Sequence, residues 1–442
     1  MNFRRILSAL VTCCLLFPSL VFAISSSTDT LLEEEILKPD INLPDFDQPL
    51  PPSPANELYQ QGIRYLLNNQ LDKASEAFKK ALEQDPKHVP TIMALAGIAL
   101  KQNRIEEALS RCQTAIQIAP KNSRLHIALA QIFVVQKKIP EAEKALQNAA
   151  NLDPTSILPL MALGNLYNMQ GKTDDALRKY QAAMAVNPKS PEPHLAASLT
   201  YAKMQRLDRA LEEADALVQI APRNPVALTL KGALYVQQKL FDQAIEQFKS
   251  AIAANYRYYP AHISLGNAYF ELKDYPAAID SYRNATTIAP NGIQAYLMLG
   301  QTYLLVNQTA EAKTALETVL RLNPNVPIAQ NNLAWIYAEA GENLDEAIRM
   351  AEAAKKSAPD FPQILDTLGW AYYKKGNYPK AVENLTAAIQ AGIKDPSVYY
   401  HLGLTYMKTG EQPKARDAFR QALALNPNFE KAAEIKSIIN SP

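Results

Sequence analysis

Few side chains in these 442 residues are suited to chemistry, and their spacing limits what they can do. His126, His194 and His262 recur every 68 residues. Metal ligands must converge on one point, whereas residues at a fixed long spacing are strung along a repetitive chain, so the three read as packing positions. His88 sits in a linker, and His401 is a single residue beside Tyr400. Of three cysteines, Cys13 and Cys14 fall in an apolar N-terminal run, which leaves Cys112 without a partner downstream. It occupies a slot that holds Phe78 and Phe248 elsewhere and reads as a small hydrophobe. The carboxylate pairs Glu106-Glu107, Asp174-Asp175 and Glu212-Glu213 fit the solvent side of a helix's first turn, where the helix dipole favours negative charge. No serine–histidine–acid set, glycine-rich phosphate loop or zinc spacing occurs. The reading is no catalytic residue, no metal and no cofactor. What remains is a pair of tryptophans, Trp335 in NNLAWIY and Trp370 in DTLGWAY, in one slot of two similar segments.

The elements that position such residues are clearest in Ala261 to Pro290, AHISLGNAYFELKDYPAAIDSYRNATTIAP. Leu265, Gly266 and Tyr269 share one face of a first short helix, and Ala278, Tyr282 and Ala285 share one face of a second. A tight turn around Lys273-Asp274-Tyr275 joins them. A glycine inside a helix costs about 1 kcal/mol relative to alanine, so Gly266 predicts close approach of the second helix at the small Ala278. Pro290 then stops that helix, since it lacks an N–H and clashes with the preceding turn.

This pattern, x-L-G-x-x-Y, then A-x-x-x-[FY], then P, resembles the tetratricopeptide repeat, a helix–turn–helix unit of 34 residues. Steps of 34 from Pro290 reach Tyr256, Pro222, Pro188, Pro154, Pro120 and Pro86 backwards, and Pro324 forwards; one inserted residue later they reach Pro359, Ile393 and Pro427. The second-helix alanine keeps step from Ala74 and Ala108 through Ala278 to Ala381 and Ala415. Departures fall at NYRYYP around Tyr256, at AGIKDP around Ile393, where Gly392 can supply a left-handed helix stop, and at the extra residue in Ala340 to Ala347. The resemblance implies an all-α fold, a right-handed superhelical solenoid of eleven units over residues 55–427, with a C-terminal capping helix in 428–442. Phe429 to Asn440 carries the helical spacing for that cap.

Residues 1–23 have the build of a secretory signal: Arg4 and Arg5, an apolar stretch from Ile6 to Phe22, and small residues for cleavage after Ala23. The alternative is an uncleaved inner-membrane anchor over residues 6–24, whose length is near the ~20 residues that a spanning helix requires. Residues 24–54 form an acidic, proline-rich tether, in which Asp29, Glu33, Glu34, Glu35, Asp40, Asp45 and Asp47 face Lys38. Such a segment is expected to be disordered. The whole chain carries +1, the signal +2 and the tether −6, which leaves +5 on residues 55–442. So balanced a chain carries no strong electrostatic draw to nucleic acid.

In relatives of this repeat the slot of Trp335 and Trp370 faces the concave groove of the first helices. Elsewhere the slot holds Asn165, Asn267, Ala233, Gly97 or Gln301, so packing does not require bulk there. By the same register Asn331, Asp366, Tyr373, Lys374 and Tyr400 are groove neighbours, and the set predicts a partner-binding groove with exposed aromatic anchors. The remaining groove slot is apolar (Met93, Ile127, Met161, Leu195, Ile263, Leu297) and lacks the Lys/Asn/Arg set with which some relatives grip a peptide's terminal carboxylate. The expected function is a non-enzymatic scaffold, periplasmic or secreted, that binds envelope assembly proteins of a secretion, pilus or exopolysaccharide system and touches the membrane only if the signal is retained. The alternatives are polysaccharide binding by sugar stacking on Trp335, Trp370, Tyr373 and Tyr400, and a recognition array of the glycosyltransferase kind.

Overall fold

The computed structural model describes residues 51–440, so the expected signal and nearly all of the tether lie outside the described residues. Within them the chain forms 23 helices and no strand. No described helix is long and apolar enough to cross a membrane. The first helix begins at Pro54, where Ser53 caps it by accepting from the Asn56 N–H at 3.2 Å. Twenty-two helices follow one another as first and second members of eleven repeats, and Ala432–Asn440 closes the series. The described residues divide into two units, 51–234 and 235–440, and the division falls inside the helix Pro225–Gln237. In each unit a helix packs chiefly on its neighbours in sequence.

Inside a repeat, one residue in the left-handed region makes the turn between the helices. Lys273 (φ 62°) is one, and Asn69, Asn103 and Asn307 take the same conformation, which asparagine tolerates better than most residues. Repeat nine (Pro327–Ala340 and Leu344–Ser357) needs two such residues, Gly341 (φ 70°) and Asn343 (φ 48°), to absorb its inserted residue.

Between repeats five of the nine proline stops carry a second device. The residue before the proline is commonly Asp or Asn, and its side-chain oxygen accepts the N–H two residues on. Lys87 donates to Asp85 at 2.9 Å, Asn325 to Asn323 at 2.9 Å and Asn428 to Asn426 at 3.0 Å. This is the side-chain mimic of a backbone turn. The junction at Tyr256 lacks the proline and keeps the device, since Arg257 donates to Asn255 at 3.0 Å. At Ile393 the stop is Gly392, with φ 90°, as its sequence position suggests. After Asn426 the turn continues through Phe429, which is buried, so the last helix starts at Ala432, three residues later than its apolar spacing predicts.

In each unit the second-helix alanines line the core, Ala74 through Ala210 in one and Ala244 through Ala415 in the other, none more than 1 % exposed. At Gly300 and Gly369 the second-helix alanine does come close, its carbonyl 3.6 and 3.3 Å from where a Cβ would stand, but at Gly266 the nearest atoms belong to Tyr282 rather than Ala278. A Cβ there would lie 2.4 Å from Tyr282 Cε1, so the glycine makes room for a fully buried ring. The same relation, sixteen residues on, pairs Gly62 with Phe78, Gly164 with Tyr180, Gly403 with Phe419, and Gly300 and Gly369 with Leu316 and Leu385. Where the first position carries a side chain, the second tends to shrink: Ala96 goes with Cys112, Ser198 with Ala214 and Ala334 with Ala351.

Candidate functional site

Three first helices and the last helix build the site: Pro327–Ala340, Pro362–Lys374, Pro396–Lys408 and Ala432–Asn440. Asn331, Trp335 and Glu339 follow one another at i, i+4 and i+8 and so share one face. Asp366, Trp370 and Lys374 repeat that spacing on the next first helix, and Tyr400 and Asp366 take Asn331's register.

Trp370 is the hub. Its indole Nε1 donates to Glu339 Oε2 at 2.8 Å. Tyr373 stacks on it with centroids 4.8 Å apart and planes 6° from parallel, and His401 stacks at 4.2 Å and 23°. Lys374 places its ammonium 4.9 Å from the Trp370 ring and donates to the Glu339 carbonyl at 3.1 Å. His401 also reaches Trp335 at 5.7 Å and bonds Asp366 Oδ1 through Nδ1 at 2.9 Å. Tyr400 donates to Glu434 Oε1 at 2.8 Å and packs on Phe419 and Phe429.

The two tryptophans are therefore buried, each 6 % exposed, and not the exposed anchors that their register suggests. His401, one repeat after Trp370 and two after Trp335, packs against both rings. Asn331, Asp366 and Tyr400 are buried as well, while Tyr373 and Lys374 are half-buried and form the rim. His401 and Glu339 are the residues that the sequence reading missed. The signal for His401 was its position one repeat after Thr367, beside the Trp370 helix; the signal for Glu339 was its place one turn after Trp335. Burial pushes the Tyr400 hydroxyl up, and the hydrogen bond to Glu434 adds to it. At Asp395, which caps the helix Pro396–Lys408 through the Ser397 N–H at 2.8 Å, burial also pushes the carboxyl up.

The slots elsewhere are occupied internally. Tyr180 donates to Asn165 at 2.9 Å and Tyr282 to Asn267 at 2.7 Å, so those asparagines serve the rings that the glycines admit. Met93 and Ile263 are buried; Ile127, Met161, Leu195 and Leu297 are half-buried. His126 and His262 each bond a carbonyl six residues back, of Pro120 and Tyr256, whereas His194 pairs with Glu213 at 2.7 Å. Among the described residues no group of three or more His, Cys, Asp or Glu could hold a metal ion. Cys112 is fully buried against the Leu125 carbonyl. A hollow of about 510 Å³ beside the second helices of repeats nine and ten is lined by Lys355, Lys356 and Tyr372, among others; there Tyr372 is bonded to Glu352 at 2.8 Å and Lys380 lies 5.0 Å from the Tyr372 ring.

Helix pairs of one length, an alanine column and a turn device repeated down the chain define a helical repeat protein. The family model described as the cilia and flagella-associated protein 70 C-terminal domain, a tetratricopeptide-repeat domain, matches residues 195–438, more than half of the chain. Models described as tetratricopeptide repeat match residues 65–114 and 99–166, and one described as TPR repeat matches 164–205. The chain belongs to the tetratricopeptide-repeat family. It is similar to the TPR repeat-containing protein PA4667 of Pseudomonas aeruginosa, 32 % identical over 84 residues, which make up 19 % of this chain and 14 % of that protein. The chain thus spans a small part of that relative's length. Among solved structures, the APC/C hetero-tetramer Cut9–Hcn1 is similar with a TM-score of 0.43 at 15 % identity, over 88 % of this chain and 97 % of that chain. A tetratricopeptide repeat protein from Parabacteroides merdae ATCC 43184 gives 0.43 at 18 % identity, over 57 % and 99 % of the two chains. Repeats of this family are scaffolds that bind other proteins, and their fold is typically non-catalytic.

Proposed function

We propose that this chain is a non-enzymatic scaffold of the bacterial cell envelope, exported by residues 1–23, which holds a segment of a partner protein against the first helices of repeats nine to eleven. The observation that carries the reading is the change of character along the first-helix face. The slot that is apolar at Met161, Leu195, Ile263 and Leu297 becomes Asn331, Asp366 and Tyr400, ringed by Trp370, Tyr373, His401 and Glu339. A single polar residue fits this slot at Thr229, whereas repeats nine to eleven carry three in succession. The signal-like N-terminus supports export, and the systems served are those of secretion, pilus or exopolysaccharide assembly. Sugar stacking needs open ring faces, and with both tryptophans and Tyr400 buried only the half-buried Tyr373 remains of the four rings it would use.

The test places a photoreactive residue at Tyr373, on the rim, and at Arg420, exposed on the second helix of repeat eleven, in cells that make the full chain. Covalent protein adducts at 373 in the envelope fraction, and none at 420, are expected. Equal adducts at both positions, or none at 373, overturn the reading.

A further inference from the structure

The rim of this site holds more carboxylate than its own donors satisfy. Glu339 comes from the helix Pro327–Ala340, Glu434 from the helix Ala432–Asn440, and Glu430 from the turn before it. Glu339 accepts from Trp370 Nε1 and Glu434 from the Tyr400 hydroxyl. Glu430 Oε2 is buried and has no hydrogen-bond partner. Burial pushes the Glu430 carboxyl up and the charge of Glu339 adds to it, with Lys431 opposing. The Tyr373 hydroxyl is also pushed up, by burial first and then by Tyr378 and Glu434. Deeper in the same face, Asn331 is 5 % exposed and its side-chain oxygen has no partner. Of the nearby cations, Lys374 is committed to the Glu339 carbonyl and the Trp370 ring, and Lys431 offsets the charge at Glu430 without bonding its buried Oε2. Aromatic faces and unpaired acceptors thus meet in one place where donors are short.

A guanidinium supplies what is missing. It is planar, carries five N–H donors in a fixed fork, and stacks on aromatic rings. The half-buried Tyr373 ring stacks on Trp370 by one face and lies tilted against Tyr378 at 5.8 Å, which leaves part of its other face; the charge of Glu434 acts on its hydroxyl, and Glu430 lies within electrostatic reach of Glu339. We infer that the partner segment held at repeats nine to eleven is basic, and that it presents an arginine to Tyr373, Glu430 and Glu434. The inference rests on the scaffold reading above and specifies the chemistry of its partner. It also sets the chain's own acidic tether apart as an occupant, because Glu33, Glu34 and Glu35 would face like charge.

The test uses the full chain and two fluorescent peptides that are identical except that arginines in one are glutamates in the other. The tether carries −6 and attracts the basic peptide unspecifically, so both peptides are compared in an E33Q/E34Q/E35Q background, in which the full chain carries +4, unspecific attraction favours the acidic peptide, and a preference for the basic one reports the local site. The basic peptide is expected to bind about tenfold tighter, to weaken with salt, and to lose about fivefold in the E430Q/E434Q double variant at unchanged melting temperature. Equal affinities, a preference for the acidic peptide, or a double variant that binds like the parent overturn the inference. If the double variant melts early, the two peptides on the parent chain still decide. Adducts at position 373 without any peptide preference remove the basic partner and leave the scaffold; absence of both removes both.

Discussion

At the scale of single residues, the chain adjusts volumes across one contact in every repeat. Tyr282 is fully buried, its hydroxyl is fixed by Asn267, and its ring lies where a Gly266 side chain would be. Gly266→Ala is therefore expected to destabilise by about 1–3 kcal/mol, since the ring has no room to yield. Ala130 faces Leu146 at the same two positions, so adding Tyr282→Leu to Gly266→Ala should recover part of the loss. Denaturant midpoints of the two single variants and the double close the cycle, and strict additivity would exclude the volume argument. Cys112 gives a second readout. Burial pushes its thiol up to about 12, so the folded state favours the neutral form. The stability this adds is whole below the ordinary value of 9.0 and is lost as pH rises toward 12. Alkylation of the native protein at pH 8 should be slow and should become fast only on unfolding.

At the scale of elements, the helices end by side-chain chemistry as much as by proline. The junction at Asn255 tests this because no proline follows it directly. Asn255→Ala removes the acceptor of the Arg257 N–H and should cost about 1 kcal/mol, by analogy with the loss of a helix cap. A loss indistinguishable from zero in thermal denaturation would mean that the neighbouring packing sets the turn. The same logic explains the late start of the last helix. The turn at Asn426 and the burial of Phe429 against Tyr400 compete with helix formation at 429 to 431, and packing wins.

At the scale of the molecule, each unit has neighbours but no common centre. A defect should therefore spread to adjacent repeats and stop. With Gly266→Leu, hydrogen exchange is expected to rise over residues 259–322, while 396–440 keep their protection. A uniform rise over 235–440 would show that this unit unfolds as one body. The aromatic network of repeats nine to eleven should be the best protected stretch of that unit, since Trp370 and His401 join successive first helices directly.

Much of this was legible in the amino acids alone. A 34-residue period, an alanine at each second-helix slot and prolines at the stops specify helix pairs and their order, because local periodicity is written along the chain. The left-handed stop at Gly392 was equally readable, since glycine alone takes that conformation cheaply. The face that carries the aromatic cluster was readable as well, through the shared register of Trp335 with Trp370 and of Asn331 with Asp366 and Tyr400. Whether those rings are open was not. That depends on what the following repeat puts opposite them, and His401, Glu339 and Glu434 come from helices one repeat away or more. Register along one helix carries no information about that space. Gly266 teaches the same lesson: a glycine announces close approach, but only tertiary packing names the atom, the ring of Tyr282, that comes close.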